Sequence, residues 1–343
     1  MLHTMSQHGP AGWVMPLIPF PQVLRLCCQG TKAVRIKVCI YFRGLEMSWR
    51  AELLRLSLRA CKERSGRRNI SAAKARRRLR LVESVVPRPP AGTQTTNFSI
   101  DDVSVAHIKA PRVRGDRYIL YFHGGGYVVG TAPLYRDFTW RIGSAAHASV
   151  LYFDYRLAPE HPFPAAVEDA TKVYRWLAGR IDPPQIAFVG DSAGGGLALA
   201  TAHKLRDEGD KLPSAVVAIS PWTDLALTGR SLQSNAAADP MMNVKRLPKI
   251  ANQYLAGADP RHPYASPLYG DASGLPPALI HVGSDEILRD DAVRMADKLR
   301  GAGSDVAIEV WPRMPHAWHL YARILPEGRD AIQQIGTFLR TKL

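Results

Sequence analysis

A serine sits among small residues in Val189-Gly190-Asp191-Ser192-Ala193-Gly194, after a β-rich run at 185–189 and before a small-residue helical run from Leu197. A sharp strand-to-helix turn lifts a serine hydroxyl off a sheet, and the neighbouring side chains must be small for a carbonyl to approach it. Ser192 is thus a candidate nucleophile for acyl transfer. That chemistry needs a base, a carboxylate to orient the base, and donors for a developing oxyanion. Alone, the pentapeptide is equally a glycine-rich turn without chemistry, so its partners decide.

Three further stretches supply them. In Phe122-His123-Gly124-Gly125-Gly126-Tyr127 the glycines let backbone amides come close to a substrate oxygen. The amides of Gly124 and Gly125, with that of Ala193, are the expected oxyanion hole, and His123 is expected to hold the loop rather than act as base. In Val282-Gly283-Ser284-Asp285-Glu286-Ile287 a carboxylate follows a strand. Asp285 is the favoured orienting acid, with Glu286, Asp290 and Asp291 as competitors. The last two open a helix, where caps and the helix dipole account for carboxylates. In Met314-Pro315-His316-Ala317-Trp318-His319 the first histidine follows the last strand and can swing over the sheet edge, so His316 is the expected base. His319 is expected to point away, toward solvent or a cap. The residue order is nucleophile, acid, histidine.

These pieces need a scaffold that brings loops from separate strands to one edge. Strands are read at 103–109 (an edge strand by its alternation), 117–123, 148–155, 185–189, 215–220, 278–282 and 306–310. Helices fall at 134–146, 167–179, 197–208 and 292–301. Strands alternating with helices imply a mostly parallel sheet covered on both faces. The segment 224–270 breaks the alternation and reads as an inserted cap, in which Met241 and Met242 are candidate substrate contacts together with Tyr127. Before the proline linker at 87–90, helices are expected from Ser48, with Trp49, Leu53, Leu54, Leu56 and Leu58 near helical spacing, and at 71–84 behind a Ser71 cap. Residues 1–46 carry no sustained periodicity and are read as a disordered leader or a consequence of start-site choice, since Met47 opens a better helix. The domain division is therefore 1–46 leader, 47–90 helical cap and 91–343 catalytic domain.

The chain resembles the bacterial branch of the hormone-sensitive lipase-like esterases, an α/β-hydrolase family marked by H-G-G-G and G-D-S-A-G. The matching residues are His123 to Gly126 and Gly190 to Gly194, with a third block from Asp154-Tyr155-Arg156-Leu157-Ala158-Pro159-Glu160 to Ala166. The resemblance covers about residues 48–343. It implies an α/β-hydrolase fold with a mostly parallel sheet, flanking helices and an N-terminal helical cap, and a serine carboxylesterase for short to medium acyl chains. The family often has Asp-Pro at the acid, where this chain has Asp285-Glu286. Asp154, Arg156 and Glu160 are expected in a structural ion-pair network, and Asp191 beneath the oxyanion loop. An amidase, lactonase or carbamate hydrolase would use the same triad.

The 343 residues carry a net charge of +15, which taken alone points to an acidic partner. Its distribution argues otherwise, because residues 50–80 hold twelve basic residues against Glu52 and Glu63 and so contribute +10. A solvated helix face accounts for this run better than a non-enzymatic basic module binding nucleic acid or membrane. Cys27, Cys28, Cys39 and Cys61 form neither a disulfide framework nor a zinc pattern, which fits a cytoplasmic protein. No apolar run reaches the roughly 18 residues of a membrane span. The expectation is an enzyme that needs no metal or organic cofactor, takes a small-molecule ester, binds no nucleic acid, inserts stably in no membrane, and is compatible with a homodimer.

Overall fold

A computed structural model describes residues 47–66, 71–113 and 115–343; the leader and three of the four cysteines lie outside these residues. In chain order the described elements are α1 (Trp49–Gly66), α2 (Ala72–Glu83), β1 (Gln94–Ile100), β2 (Val103–Lys109), β3 (Tyr118–Phe122), α3 (Ala132–Ala146), β4 (Ser149–Asp154) and α4 (Ala165–Ala178). There follow β5 (Ile186–Asp191), α5 (Ala193–Asp207), β6 (Ala215–Ile219), α6 (Ser231–Ser234), α7 (Leu247–Leu255), β7 (Ala278–Gly283), α8 (Arg289–Gly301), β8 (Val306–Trp311) and α9 (Pro326–Lys342).

The described strands form one sheet in the order β1-β2-β4-β3-β5-β6-β7-β8. The β1–β2 and β2–β4 pairs are antiparallel and the rest parallel. The stretch 103–109, expected at the edge, instead lies between β1 and β4. The edge on that side is β1, whose Gln94-Thr95-Thr96-Asn97 start is exposed and carries no apolar alternation to reveal it. Within the central strands the two-residue period sorts side chains to opposite layers. Leu120 and Phe122 of β3 join the layer under α4, α5 and α8, whereas Ile119 and Tyr121 join the layer under α3 and α9. The central parallel strands therefore read as continuous apolar runs, and β3, β5, β7 and β8 present their C-terminal ends along one edge of the sheet.

The N-terminal helices are held to this body by specific contacts. Ala51 and Leu54 of α1 pack with Trp311, Met314 and Trp318. Glu327 accepts from the Ser48 amide at 2.7 Å, and Lys62 Nζ donates to the carbonyls of Ala236 and Asp239. Ser71 caps α2 through the Lys74 amide, and Arg76 donates to the Val128 and Ala158 carbonyls and to Glu160. Arg156 pairs with Asp169 and Glu168, so Arg156 and Glu160 are both engaged in ion pairs. Asp154 makes no ion pair among the described residues, and burial pushes its pKa up to about 6.

Candidate active site

Ser192 sits between β5 and α5 with φ 54° and ψ −123°, a conformation that L-residues with a Cβ rarely adopt. The turn is fixed on both sides: the Ser192 amide donates to the Ile219 carbonyl at 2.8 Å, and its own carbonyl accepts from Trp222 at 2.9 Å. Gly194 is obligatory here, because a Cβ would lie 2.1 Å from the Phe122 carbonyl oxygen. Helix α5 begins at Ala193, so the Ala193 amide is one of the first-turn N–H groups that a helix leaves without an intrahelical acceptor.

His316 follows β8, and its Nδ1 lies 2.7 Å from Oε2 of Glu286, with both side chains buried. The carboxylate bonded to His316 is therefore Glu286, and not Asp285 as expected. Asp285 turns the other way, to Nη2 of the buried Arg55 of α1 at 2.7 Å and to the Ser284 hydroxyl. The second oxygen of Glu286 accepts from the Gly283 amide at 2.6 Å and from the Ser220 hydroxyl at 2.7 Å. Ser220 Oγ also accepts from the Ala317 amide, tying the acid to the histidine loop. Burial works to lower the His316 pKa, but the hydrogen bond and charge of Glu286 outweigh it, and the net shift is upward.

The glycine loop is likewise built by a distant group. Asp191 is buried and accepts from the Gly124 amide at 2.8 Å and the Tyr121 hydroxyl at 2.6 Å. The Gly124 amide is thus occupied, which corrects its assignment to the oxyanion hole. Among the described residues no acceptor is found for the amides of Gly125 and Gly126. Gly125 takes φ +114°, and a Cβ there would lie 2.0 Å from the Val129 carbonyl oxygen. Burial raises the Asp191 pKa, against the lowering effect of its donors. His123 bonds the Gly124 carbonyl through Nδ1 at 2.7 Å and stacks on Tyr155 at 4.0 Å; burial pushes its pKa down to about 4, so it stays neutral and structural.

Ser192, His316 and the three glycines line one cavity of about 560 Å³. It is lined by Ala72, Ala75 and Leu79 of α2 and by Met241, Met242, Leu247 and Ile250. Tyr127 is not in that lining. It is buried behind the loop, stacked on Tyr254 with centroids 3.7 Å apart, so the direct substrate contact expected of it is not made. Nor does His319 reach solvent: its Nε2 lies 3.0 Å from Nδ1 of His281, both rings are fully buried, and they pack with Trp311 and Trp318. The motifs point less directly to Glu286 and Gly126. Glu286 stood among the competing carboxylates, and Gly126 was the third glycine of the motif.

Residues 119–320 match a family model described as the alpha/beta hydrolase fold. An acetyl-hydrolase of Streptomyces hygroscopicus is 49% identical over 70% of this chain and 82% of its own length. The carboxylesterase/phospholipase LipF of Mycobacterium tuberculosis is 36% identical over 74% of this chain and 70% of its own. Among solved structures, an esterase from the bacterial hormone-sensitive lipase family superposes with a TM-score of 0.82 at 43% identity, covering 87% of this chain and 99% of that one. EstE5 soaked with p-nitrophenyl butyrate gives a TM-score of 0.81 at 39% identity, covering 86% of this chain and 99% of that one. With a serine elbow, a carboxylate-bound histidine and a glycine loop gathered at one sheet edge, the chain belongs to the bacterial hormone-sensitive lipase-like esterases of the α/β-hydrolase fold, and it is a carboxylic ester hydrolase.

Proposed function

We propose that Ser192, His316 and Glu286 form the catalytic triad of a carboxylesterase acting on short to medium acyl chains. The observation that carries this reading is the 2.7 Å contact between Glu286 Oε2 and His316 Nδ1 at the cavity that Ser192 lines. Glu286 keeps the proton on Nδ1, leaving Nε2 to take the proton from Ser192 Oγ as it attacks the ester carbonyl carbon. The oxyanion is received by the amides of Gly125, Gly126 and Ala193. Collapse expels the alcohol, which takes the proton from His316 Nε2. The same nitrogen then deprotonates a water that attacks the acyl carbon, and it returns that proton to Ser192 Oγ as the bond to the serine breaks and the acid leaves.

The helices α1 and α2 and the segment 224–270 serve as the cap. The acyl chain lies between Ala75 and Leu79 on one side and Met241, Met242 and Ile250 on the other, an apolar slot with few polar groups.

Ser192→Ala is the test. It should lower kcat for p-nitrophenyl butyrate by about 10⁴-fold or more while the far-UV circular dichroism stays unchanged. A folded variant with near wild-type turnover refutes the assignment. Across p-nitrophenyl esters from acetate to laurate, kcat/KM should peak at short to medium chains.

A further inference from the structure

Helix α2 has two unlike sides. Its inner side is spent: Ala72, Ala75 and Leu79 line the cavity, Arg76 is tethered to Val128, Ala158 and Glu160, and Glu83 accepts from Thr131. Its C-terminal end is held by Arg136 of α3, which donates to the carbonyls of Glu83, Val86 and Pro87. The outer side is left to solvent. Lys74, Arg77, Arg78 and Arg80 are exposed there with no acidic partner among the described residues. Beside them stand Leu81 and Val82, with Val85 in the turn just past the helix, and Leu81 and Val85 are each 74% exposed.

A solvated face explains the cations but not the leucine and valines beside them. Basic residues together with exposed aliphatic ones on a helix anchored from behind match an anionic lipid surface: the cations meet phosphate, and the aliphatic tips enter the headgroup–acyl boundary. Nucleic acid would use the cations and leave the aliphatic residues in water. Because the same helix walls the cavity, docking would bring the cap against a phase that concentrates apolar esters.

We propose that the outer face of α2 is a peripheral docking surface for anionic lipid bilayers. The docking concerns the surface of α2 and does not depend on which residues form the triad. Each basic residue near such a surface adds about fivefold in affinity, so the four together add on the order of several hundredfold.

The test is co-sedimentation of the full chain with phosphatidylglycerol-containing vesicles and with pure phosphatidylcholine vesicles. Binding is expected to the first, weakening steeply as salt is raised, and to be slight for the second. The triple variant K74E/R77E/R78E should lose about 100-fold or more in vesicle affinity. Its hydrolysis of soluble p-nitrophenyl butyrate should be unchanged, which also certifies its fold. Leu81→Ser, which keeps the charge, should lose about tenfold. Equal binding to both vesicle types, or vesicle binding by the triple variant at the wild-type level, overturns the proposal. So does salt-dependent retention of duplex DNA without vesicle binding, and so does self-association abolished by the triple variant without vesicle binding.

Discussion

The pair Asp285 and Glu286 offers the sharpest test of the site, because adjacent carboxylates are given different work. In Glu286→Gln the shape is kept and the charge lost. Oε1 accepts from the Gly283 amide and from the Ser220 hydroxyl, so the glutamine must place its carbonyl oxygen there. Its NH₂ then faces His316 Nδ1, which becomes the acceptor and moves the imidazole proton to Nε2, the nitrogen that should receive the serine proton. A wrong tautomer of this kind costs kcat on the order of 10⁴-fold. Asp285→Asn leaves that arrangement intact and breaks the ion pair with Arg55, whose partners are 7% and 21% exposed. Breaking a buried pair costs about 3 kcal/mol at the low end of the range, the end appropriate to this partly exposed aspartate. The expected outcome is a Tm lower by roughly 5 °C with kcat within about threefold. Steady-state kinetics on p-nitrophenyl butyrate and thermal denaturation of both variants decide the matter. The reasoning fails if Asp285→Asn loses as much turnover as Glu286→Gln, or if Glu286→Gln keeps more than about a tenth of the wild-type kcat.

The other expected outcomes concern pH, the cap and the glycine loop. The base must be neutral to work and its pKa is raised above the ordinary histidine value, so wild-type kcat/KM should fall as pH drops through that raised value. In Glu286→Gln the supporting charge is gone, and the acid limb of the residual activity should move to lower pH. The same pair stabilises the fold fully below the unfolded histidine pKa, and this contribution fades as pH rises through the folded one, which urea titrations at several pH values would register. Ala75→Trp intrudes on the slot between α2 and the methionines and should raise KM for hexanoate and longer esters about tenfold while sparing acetate. Asp191→Ala strips the partners from the buried Gly124 amide and Tyr121 hydroxyl, at about 1–3 kcal/mol for each orphaned group. It should lower both Tm and kcat, and an unchanged kcat would show that Asp191 does not hold the loop in its working shape.

The parts of this molecule that could be read from sequence are those fixed by local chemistry. The elbow needed Gly194, the parallel strands needed long apolar runs, and the base needed to follow the last strand; each requirement leaves a mark within a few residues. The acid was harder, because the chain path after β7, not residue type, chooses between two neighbouring carboxylates. What claims Asp285 is Arg55, 230 positions away. The Gly124 amide is withdrawn from the oxyanion hole by Asp191, 67 residues on, in the same way. Tyr127 looked available beside the motif, yet it is sealed behind it by Tyr254 from the inserted segment. Strand β1 escaped notice because an edge strand with a polar start needs no apolar alternation.

The His281–His319 pair carries a consequence for how this esterase meets acid. Burial holds the His281 pKa down to about 3 and that of His319 well below its usual value, so both rings are neutral in the fold. An unfolded chain would begin to protonate both near pH 6.5, so their contribution to stability is full above that value and drains as pH falls below it. The pair lies under the loops that carry the acid and the base, since the His281 carbonyl binds the Ser220 amide and His319 is three residues beyond His316. Acidification should therefore silence the enzyme in two stages: a quick, recoverable loss as His316 takes up a proton, and at lower pH a slower loss as the buried imidazole pair, which is held neutral in the fold, is driven to take up charge. Restoring neutral pH after a brief exposure would recover the first loss at once, while recovery from the second would have to wait for refolding.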